Sequence, residues 1–404
     1  MNIGTWLRGA RLADGTPADV HIEAGRITDV VRDPPATTTG DLDGYVLLPS
    51  FVEPHAHLDK ALTAARVPNP AGDLRGAIEA MAAAAGSFST ADIAARADAA
   101  LRVMLAHGTT AVRTHVDVGT STGMRAVAAL ADVRERWAGT VDVQVVALVG
   151  RPLDGPGGAD LRQALREGAD VAGGCPHLDP DPDRAVGICL DIAGAAGAPL
   201  DLHTDETLDP AMLTLPVLAD LVLRTGFPHG VTASHCVSLG VQPDEVQRAV
   251  ADKVSEAGVA VVALPQTNLF LQGRRQPVAT PRGLTAVHAL RRARATVAAG
   301  GDNLRDPFHP MGRGDPLEVA ALMVTAGHLD TVDALATVTA EARTALRLPA
   351  VAIAPGMPAD LVALRGANLL DALAAADQQR RVWRAGRLVA RTTVSRELSL
   401  SEDT

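Results

Sequence analysis

Residues 46–57 read VLLPSFVEPHAH, an apolar run that ends on two histidines separated by one residue. Seven further apolar runs follow it, and helical stretches separate most of them. Strands alternating with helices over about 300 residues are typical of a parallel barrel, so we predict an α/β fold of the (β/α)8 TIM-barrel type. A doubly wound open sheet is the alternative, but no G-x-G-x-x-G sequence follows an early strand. The later runs are TTAVRTHV (109–116), VDVQVVAL (141–148), ADVAGG (169–174), APLDLHT (198–204), GVTASH (230–235), VAVVAL (259–264) and ATVAAGGD (295–302).

Both ends of the chain carry short strand-like segments that alternate loosely and are separated by Gly, Asp and Pro. Two strand-rich ends around a long middle suggest that the termini build one domain together. We predict a small β-sandwich domain from residues 1–50 and 355–404, and a barrel from residues 51–354. The segments are WLRGARL (6–12), ADVHIEAG (18–25), RITDVV (26–31), PADLVAL (358–364) and RRVWRAGRLVA (380–390).

The composition excludes several classes of protein. Hydrophobic residues make up 47% and charged residues 21%, so a disordered chain is not expected. A net charge of −10, with only three Trp, one Tyr and five Phe, does not suit nucleic-acid binding. No segment approaches the roughly 18 uninterrupted apolar residues of a membrane helix, and the first residues do not resemble a signal peptide. We expect a cytoplasmic protein with a small-molecule partner and with no nucleic-acid or membrane partner.

Polar residues follow the apolar runs at the C-terminal ends of the predicted strands, where barrel enzymes place their chemistry. His55 and His57 share one side of a strand, because residues i and i+2 do, so both imidazoles can hold one metal ion. Each later candidate alone has an ordinary alternative, a core histidine or a helix N-cap. Together, four histidines and an aspartate at four strand ends predict an open site for Zn²⁺ or Fe²⁺. The later candidates are His203, His235 and Asp302, with Glu206 three residues after His203.

These motifs resemble the amidohydrolase superfamily, and most closely the bacterial cytosine deaminases and their triazine- and heterocycle-hydrolysing relatives. The resemblance extends over most of the chain. It implies a metal-dependent hydrolase that acts on carbon–nitrogen bonds other than peptide bonds. The motifs are VEPHAHLDK (52–60), VRTHVDV (112–118), DLHTDE (201–206), TASH (232–235), LQGR (271–274) and DNLRDPFHP (302–310).

The resemblance also implies the roles of the site residues. Asp302 holds the metal together with three histidines and takes a proton from the metal-bound water, whose hydroxide attacks the substrate. His235 orients this hydroxide and polarises the carbon under attack. Glu206 carries the proton to a ring nitrogen and then to the leaving group, for which it needs a raised pKa. The histidine ligands are His55, His57 and His203.

We predict one metal ion. Two-metal members of the superfamily commonly bridge their ions with a carboxylated lysine or a glutamate on the fourth strand. The only lysines here are Lys60 and Lys253, and the third and fourth apolar runs contain no glutamate.

Five residues are candidates for substrate binding. Lys60 either faces the substrate or pairs with a neighbouring carboxylate, Phe308 is either an apolar wall or core, and Gln272 either contacts the substrate or shapes its loop. Gly150 stands where cytosine deaminases have a glutamine that reads the pyrimidine amide edge. Asn303 replaces their second carboxylate beside the metal ligand.

We therefore expect a deaminase for a nitrogen heterocycle that is not specific for cytosine. The alternative is hydrolysis of a cyclic amide, such as a hydantoin or lactam, on the same metal site. Asn303 favours this alternative slightly, because a neutral side chain suits a carbonyl that has no amine leaving group. The superfamily resemblance also allows a homo-oligomer.

Overall fold

The computed structural model describes residues 4–35, 40–119, 123–150 and 152–398. These residues form fifteen strands and thirteen α-helices. The strands are β1 (Thr5–Arg11), β2 (Pro17–Glu23), β3 (Arg26–Arg32), β4 (Tyr45–Pro49), β5 (Phe51–Ala56), β6 (Thr109–Val118), β7 (Asp142–Val149), β8 (Val171–Gly174), β9 (Leu200–Thr204), β10 (Val231–His235), β11 (Ala260–Ala263), β12 (Val297–Ala299), β13 (Leu361–Arg365), β14 (Arg380–Arg384) and β15 (Arg387–Arg391). The helices are α1 (Leu74–Ala84), α2 (Thr90–Ala106), α3 (Arg125–Trp137), α4 (Gly158–Arg166), α5 (Pro182–Ala196), α6 (Leu215–Thr225), α7 (Asp244–Glu256), α8 (Pro265–Leu271), α9 (Val287–Arg292), α10 (Pro316–Thr325), α11 (Thr331–Thr337), α12 (Ala340–Ala345) and α13 (Leu369–Ala375).

The chain divides into two compact units. One consists of residues 1–50, 105–108 and 351–404, and the other of residues 51–104 and 109–350. The sequence analysis expected bounds at 50/51 and 354/355; the division of the structure falls at 50/51 and 350/351 and adds residues 105–108 to the first unit. The first apolar run crosses the division, because its residues 46–49 lie in β4 of the terminal unit and only Phe51 onward belongs to the barrel.

The larger unit is the predicted (β/α)8 barrel. Its eight strands β5 to β12 pair in sequence order, and every pair is parallel. The first and last strands meet through a bridge between Ala56 and Asp302, where the Asp302 amide donates to the His55 carbonyl at 3.0 Å. This contact closes the sheet and excludes the doubly wound alternative. It also brings the two ends of the strand series together at the edge where the predicted ligands lie.

The smaller unit is the predicted terminal β-domain. Its strands form one seven-stranded sheet in the order β15-β14-β13-β4-β1-β2-β3, so the expected sandwich is built from a single sheet. Arg26, at the start of β3, forms a bridge with Pro358, just before β13, which shows that the sheet curls back on itself. Side chains from both halves of the sheet, including Val20, Leu47 and Trp383, share one buried apolar cluster.

No helix in the described ranges is long and apolar enough to cross a membrane.

Candidate active site

The five residues predicted around the metal lie together at the C-terminal edge of the barrel, and all of them are buried. The Nε2 atoms of His57 and His203 are 3.3 Å apart. Asp302 Oδ1 lies 3.3 Å from His57 Nε2 and 3.6 Å from His55 Nε2. Ligand atoms of His55, His235 and Asp302 also lie within 4.8 Å of one another.

This arrangement fits a divalent metal ion. Two ligands that each lie about 2.1 Å from one ion, at angles of 90–110°, are about 3.0–3.4 Å apart, close to the separations found here. His55 Nε2 and both carboxylate oxygens of Asp302 are buried and have no hydrogen-bond partner among the described residues. Buried polar atoms that converge without partners are costly unless a ligand satisfies them. Imidazole and carboxylate are donors that suit zinc and iron.

A buried chain of hydrogen bonds fixes the ring of His55. Ser234 Oγ donates to Asp201 Oδ1 at 3.0 Å and lies 2.9 Å from His55 Nδ1, so Nδ1 carries the hydrogen and Nε2 is left as the ligand atom. Arg113 donates to the other oxygen of Asp201 at 2.8 Å and neutralises this carboxylate. The His115 ring stacks on the His55 ring, and the two ring centres are 3.8 Å apart. Our sequence analysis missed Arg113, Asp201 and Ser234, although a polar or charged residue inside each apolar strand was a visible signal.

Glu53 joins the first strand to the last next to the candidate metal ligands His55 and Asp302. Its carboxyl group accepts hydrogen bonds from the amides of His55 and Gly301 at 2.9–3.1 Å. Burial raises the pKa of Glu53 to about 8, although both amide hydrogen bonds oppose this shift. A Cβ atom at Gly300 would lie 2.4 Å from Glu53 Oε1, so the glycine pair at the end of the last strand leaves room for this carboxyl group.

Glu206 and His235 stand beside the ligands. Burial raises the pKa of Glu206 well above its usual range, and the nearby Asp302 carboxylate raises it further. Its Oε1 lies 3.7 Å from His235 Nδ1, which is also 3.2 Å from Asn268 Oδ1. His235 Nε2 is buried and finds no hydrogen-bond partner in the described part of the chain. A protonated carboxyl group beside the ligands of a metal ion can act as a general acid, as the predicted shuttle role requires.

The backbone turns sharply at two of these strand ends. His235 has a φ of +71° and Asp302 a φ of +61°, in the left-handed region that non-glycine residues seldom adopt. Such conformations cost on the order of 1–3 kcal/mol each and cluster at functional sites. Thr285 holds the first turn by donating to the His235 carbonyl at 2.6 Å.

Four residues of the cluster line a cavity of about 230 Å³: His57, His203, His235 and Asp302. Four of the five predicted substrate residues line it: Lys60, Gly150, Asn303 and Phe308. A Cβ atom on Gly150 would meet no described atom within 4 Å, so this position opens space. One face of α1, which carries Leu74, Ile78 and Met81, lines the outer part of the cavity. The lining of the cavity therefore combines the polar side chains of the site with a largely apolar remainder.

Lys60 is held in place by carboxylates. Its Nζ lies 2.9 Å from Asp117, 3.5 Å from Asp59 and 3.2 Å from His57 Nδ1. Burial alone would lower the pKa of Lys60, but Asp117 and Asp59 outweigh burial, and the pKa lies above its usual value. Nζ also lies 5.8 Å from the centre of the Phe308 ring. The ion pair expected for Lys60 is thus present, and Lys60 also lines the cavity, while its contact with the substrate stays a prediction.

The other two candidates differ in position. Asn303 is buried, and its Nδ2 donates to Asp306 at 2.8 Å. Gln272 does not line the cavity that is formed beside the candidate metal ligands. It lies in a neighbouring open cleft, where its amide reaches the Glu206 carbonyl at 3.4 Å. The contact with substrate expected for Gln272 is thus not supported, and its position favours the alternative role in shaping the loop.

His177, which the sequence analysis did not select, also lines the cavity. It follows β8, and its Nδ1 lies 3.1 Å from the carbonyl oxygen of His203. Burial lowers the pKa of His177 to about 4, so the ring is neutral at neutral pH.

Fold and site together define a metal-dependent hydrolase that acts on carbon–nitrogen bonds other than peptide bonds. A model of the amidohydrolase family matches residues 80–390, and the chain belongs to this family. A pterin deaminase of Rhizobium rhizogenes is 37% identical over 388 residues, which cover 93% of this chain and 88% of that relative. These findings confirm the superfamily resemblance.

Two solved structures are similar over nearly their whole length. A 5-methylcytosine deaminase from Klebsiella pneumoniae, liganded with 5-fluorocytosine, has a TM-score of 0.88 at 28% identity and covers 98% of this chain and 99% of its own. An N-isopropylammelide isopropylaminohydrolase from Burkholderia multivorans has a TM-score of 0.82 at 32% identity. The match covers 97% of this chain and 99% of that structure's chain.

Proposed function

We propose that the protein is an aminohydrolase that replaces an amino or substituted amino group on a C=N carbon of a nitrogen heterocycle with oxygen. The observation that carries this proposal is the convergence of His55, His57, His203 and Asp302 beside a buried carboxyl group, Glu206, whose pKa is raised. Ligands of this kind hold a hydrolytic metal ion, and the neighbouring acid serves a reaction in which a nitrogen atom gains a proton.

We propose one ion, zinc or iron, rather than two. His55, His115 and Asp201 form a second group of nearby ligand types. Asp201, however, is already engaged by Arg113 and Ser234, which makes it a poor ligand for a second ion. Lys60 is paired with Asp117 and is likewise a poor bridging ligand.

The chain's own residues divide the work of the reaction. A divalent ion bound to these ligands supplies Lewis-acid polarisation and makes water more acidic. Asp302 receives the proton of the attacking water on a carboxylate oxygen. Glu206 holds its proton until negative charge builds on the ring nitrogen and then donates it. His235, whose buried Nε2 has no hydrogen-bond partner among the described residues, orients the attacking water and polarises the carbon under attack. The apolar face of α1 limits access of bulk water.

Several features support a substrate larger than cytosine. The space at Gly150 and the cavity volume of about 230 Å³ accommodate a bicyclic or substituted ring. The relatives are named for pterin, 5-methylcytosine and N-isopropylammelide. We therefore propose that pterin and substituted pyrimidines or triazines are the first substrates to test.

The test combines metal analysis with product analysis. Metal-loaded protein is incubated with pterins, pyrimidines, triazines and imidazolones, and ammonia or amine release is measured beside mass spectra of the products. Release of ammonia or an amine supports the proposal. A new carboxylate without ammonia would instead establish ring opening, the cyclic-amidase alternative. Metal-loaded protein that leaves the whole panel unchanged would contradict the proposal.

We further propose a cytoplasmic location and a homo-oligomer. The three cysteines, Cys175, Cys189 and Cys236, are free thiols, as is usual in a reducing compartment. Light scattering coupled to size-exclusion chromatography measures the oligomeric state directly.

A further inference from the structure

The orientation of the His177 ring is determined by its partner. Nδ1 of His177 lies 3.1 Å from the carbonyl oxygen of His203. A carbonyl oxygen only accepts hydrogen bonds, so Nδ1 carries the ring hydrogen. In a neutral imidazole the other nitrogen then has a free lone pair. Nε2 of His177 is therefore a hydrogen-bond acceptor.

This acceptor has no partner of its own. Although the residue as a whole is partly exposed, Nε2 is buried and no atom of the described chain donates to it. His177 lines the same cavity as Glu206 and His203. An acceptor that is buried in a ligand cavity and lacks a protein donor is satisfied when a ligand supplies the donor.

The position of His177 complements the space at Gly150. Gly150 has no side chain with which to read a ring edge. It directly follows β7, which pairs with β8, the strand that precedes His177. Among the other polar residues of the cavity, Lys60 is engaged by Asp117 and Asn303 by Asp306. His177 is thus an acceptor that remains available in the cavity that Gly150 also lines.

We propose that Nε2 of His177 accepts a hydrogen bond from an N–H group of the substrate ring and selects heterocycles that carry a hydrogen there. The substrate class is therefore a lactam-type or otherwise N–H-bearing heterocycle. This inference rests on the proposed function. It adds a specificity residue just after the fourth barrel strand, β8, to the reaction performed by Glu206 and the metal ligands.

The test compares the variants His177→Leu and His177→Gln with the wild type. Leu cannot accept a hydrogen bond, whereas the Gln amide oxygen reaches about as far as Nε2. Each protein is assayed on the ammonia-releasing heterocycle and on its ring N-methyl isomers, starting with pterin. Binding of pterin to Glu206→Gln, alone and combined with His177→Leu, gives a readout without turnover.

We expect wild-type kcat/KM to fall by roughly 10- to 100-fold for one N-methyl isomer. His177→Leu should lower kcat/KM for the N–H parent by a similar factor, mainly through KM, and should change that isomer by less than about threefold. His177→Gln should restore most of the loss, and metal content should stay unchanged.

Other results would overturn the role of His177. These are equal losses on parent and N-methyl isomer, wild-type indifference to every methyl position, or loss of metal together with activity. If His177→Leu fails to fold, His177→Gln and the wild-type comparison still test the role, because wild-type indifference to every methyl position overturns it. Absence of ammonia or amine release from the whole panel by the metal-loaded wild type would overturn the proposed function itself, whereas release with unaltered selectivity in His177→Leu overturns only this inference.

Discussion

Ser234→Ala should weaken metal binding without touching a metal ligand. Ser234 Oγ lies between His55 Nδ1, at 2.9 Å, and Asp201 Oδ1, at 3.0 Å. Its removal deletes two buried hydrogen bonds, each worth about 1 kcal/mol, and frees the imidazole to rotate. A loss of about 2 kcal/mol corresponds to roughly 30-fold weaker metal affinity, within the 10- to 100-fold range typical of groups that orient a ligand.

The assay is a competition titration of the metal against a chelator of known affinity. Ser238→Ala is the matched control, because Ser238 is also buried and its Oγ has no hydrogen-bond partner within the described residues. We expect this control to bind metal as the wild type does. Metal affinity of Ser234→Ala within about threefold of the wild type would refute the reasoning. An equal loss in both variants would attribute the effect to loosened packing instead.

Three further predictions follow from the site. Glu206→Gln should retain metal but lower kcat by at least about 10²-fold, and a rate equal to that of the wild type would reject the shuttle role. Wild-type kcat should fall as pH rises through the raised pKa of Glu206, because the carboxyl group must be protonated to donate. Gly150→Gln should fill the open space and lower kcat/KM for pterin by about tenfold or more relative to 5-methylcytosine, and an unchanged ratio would contradict the role of Gly150 in admitting larger rings. Gly300→Ala should displace the Glu53 carboxyl group and lower the free energy of unfolding by about 2 kcal/mol, as measured by thermal unfolding. The control Gly187→Ala, in helix α5, should raise the free energy of unfolding by about 0.5–1 kcal/mol, because its Cβ meets no described atom within 4 Å. Equal changes in the two variants would contradict the clash at Gly300.

The barrel and the cluster of candidate ligands could be predicted because both leave local patterns. Each apolar run predicts a buried strand, and the ionisable residue after it marks the catalytic edge of the barrel. His55, His57, His203, His235 and Asp302 all follow this rule. The run 46–55 misled in one respect, because apolar character does not reveal that the chain passes from one sheet to another at Ser50.

The surroundings of the ligands could not be predicted in the same way. Asp201 and Ser234 contact each other only because strands β9 and β10 are paired, which places residues 33 positions apart side by side. The orientation of His177 depends on a backbone carbonyl, which every residue has and no sequence pattern marks. Gln272 lay in a recognisable motif, but the turn after α8 directs it into the neighbouring cleft.

The bridge between Glu53 and Gly301 joins residues 248 positions apart and has a consequence for biosynthesis. A ribosome must translate almost the whole barrel before Asp302 can join the histidines, so a nascent chain meets cellular metal with an incomplete ligand set. The ligand set is therefore complete only after residue 302 has been synthesised, and a premature stop before codon 302 yields a product that lacks the Asp302 carboxylate.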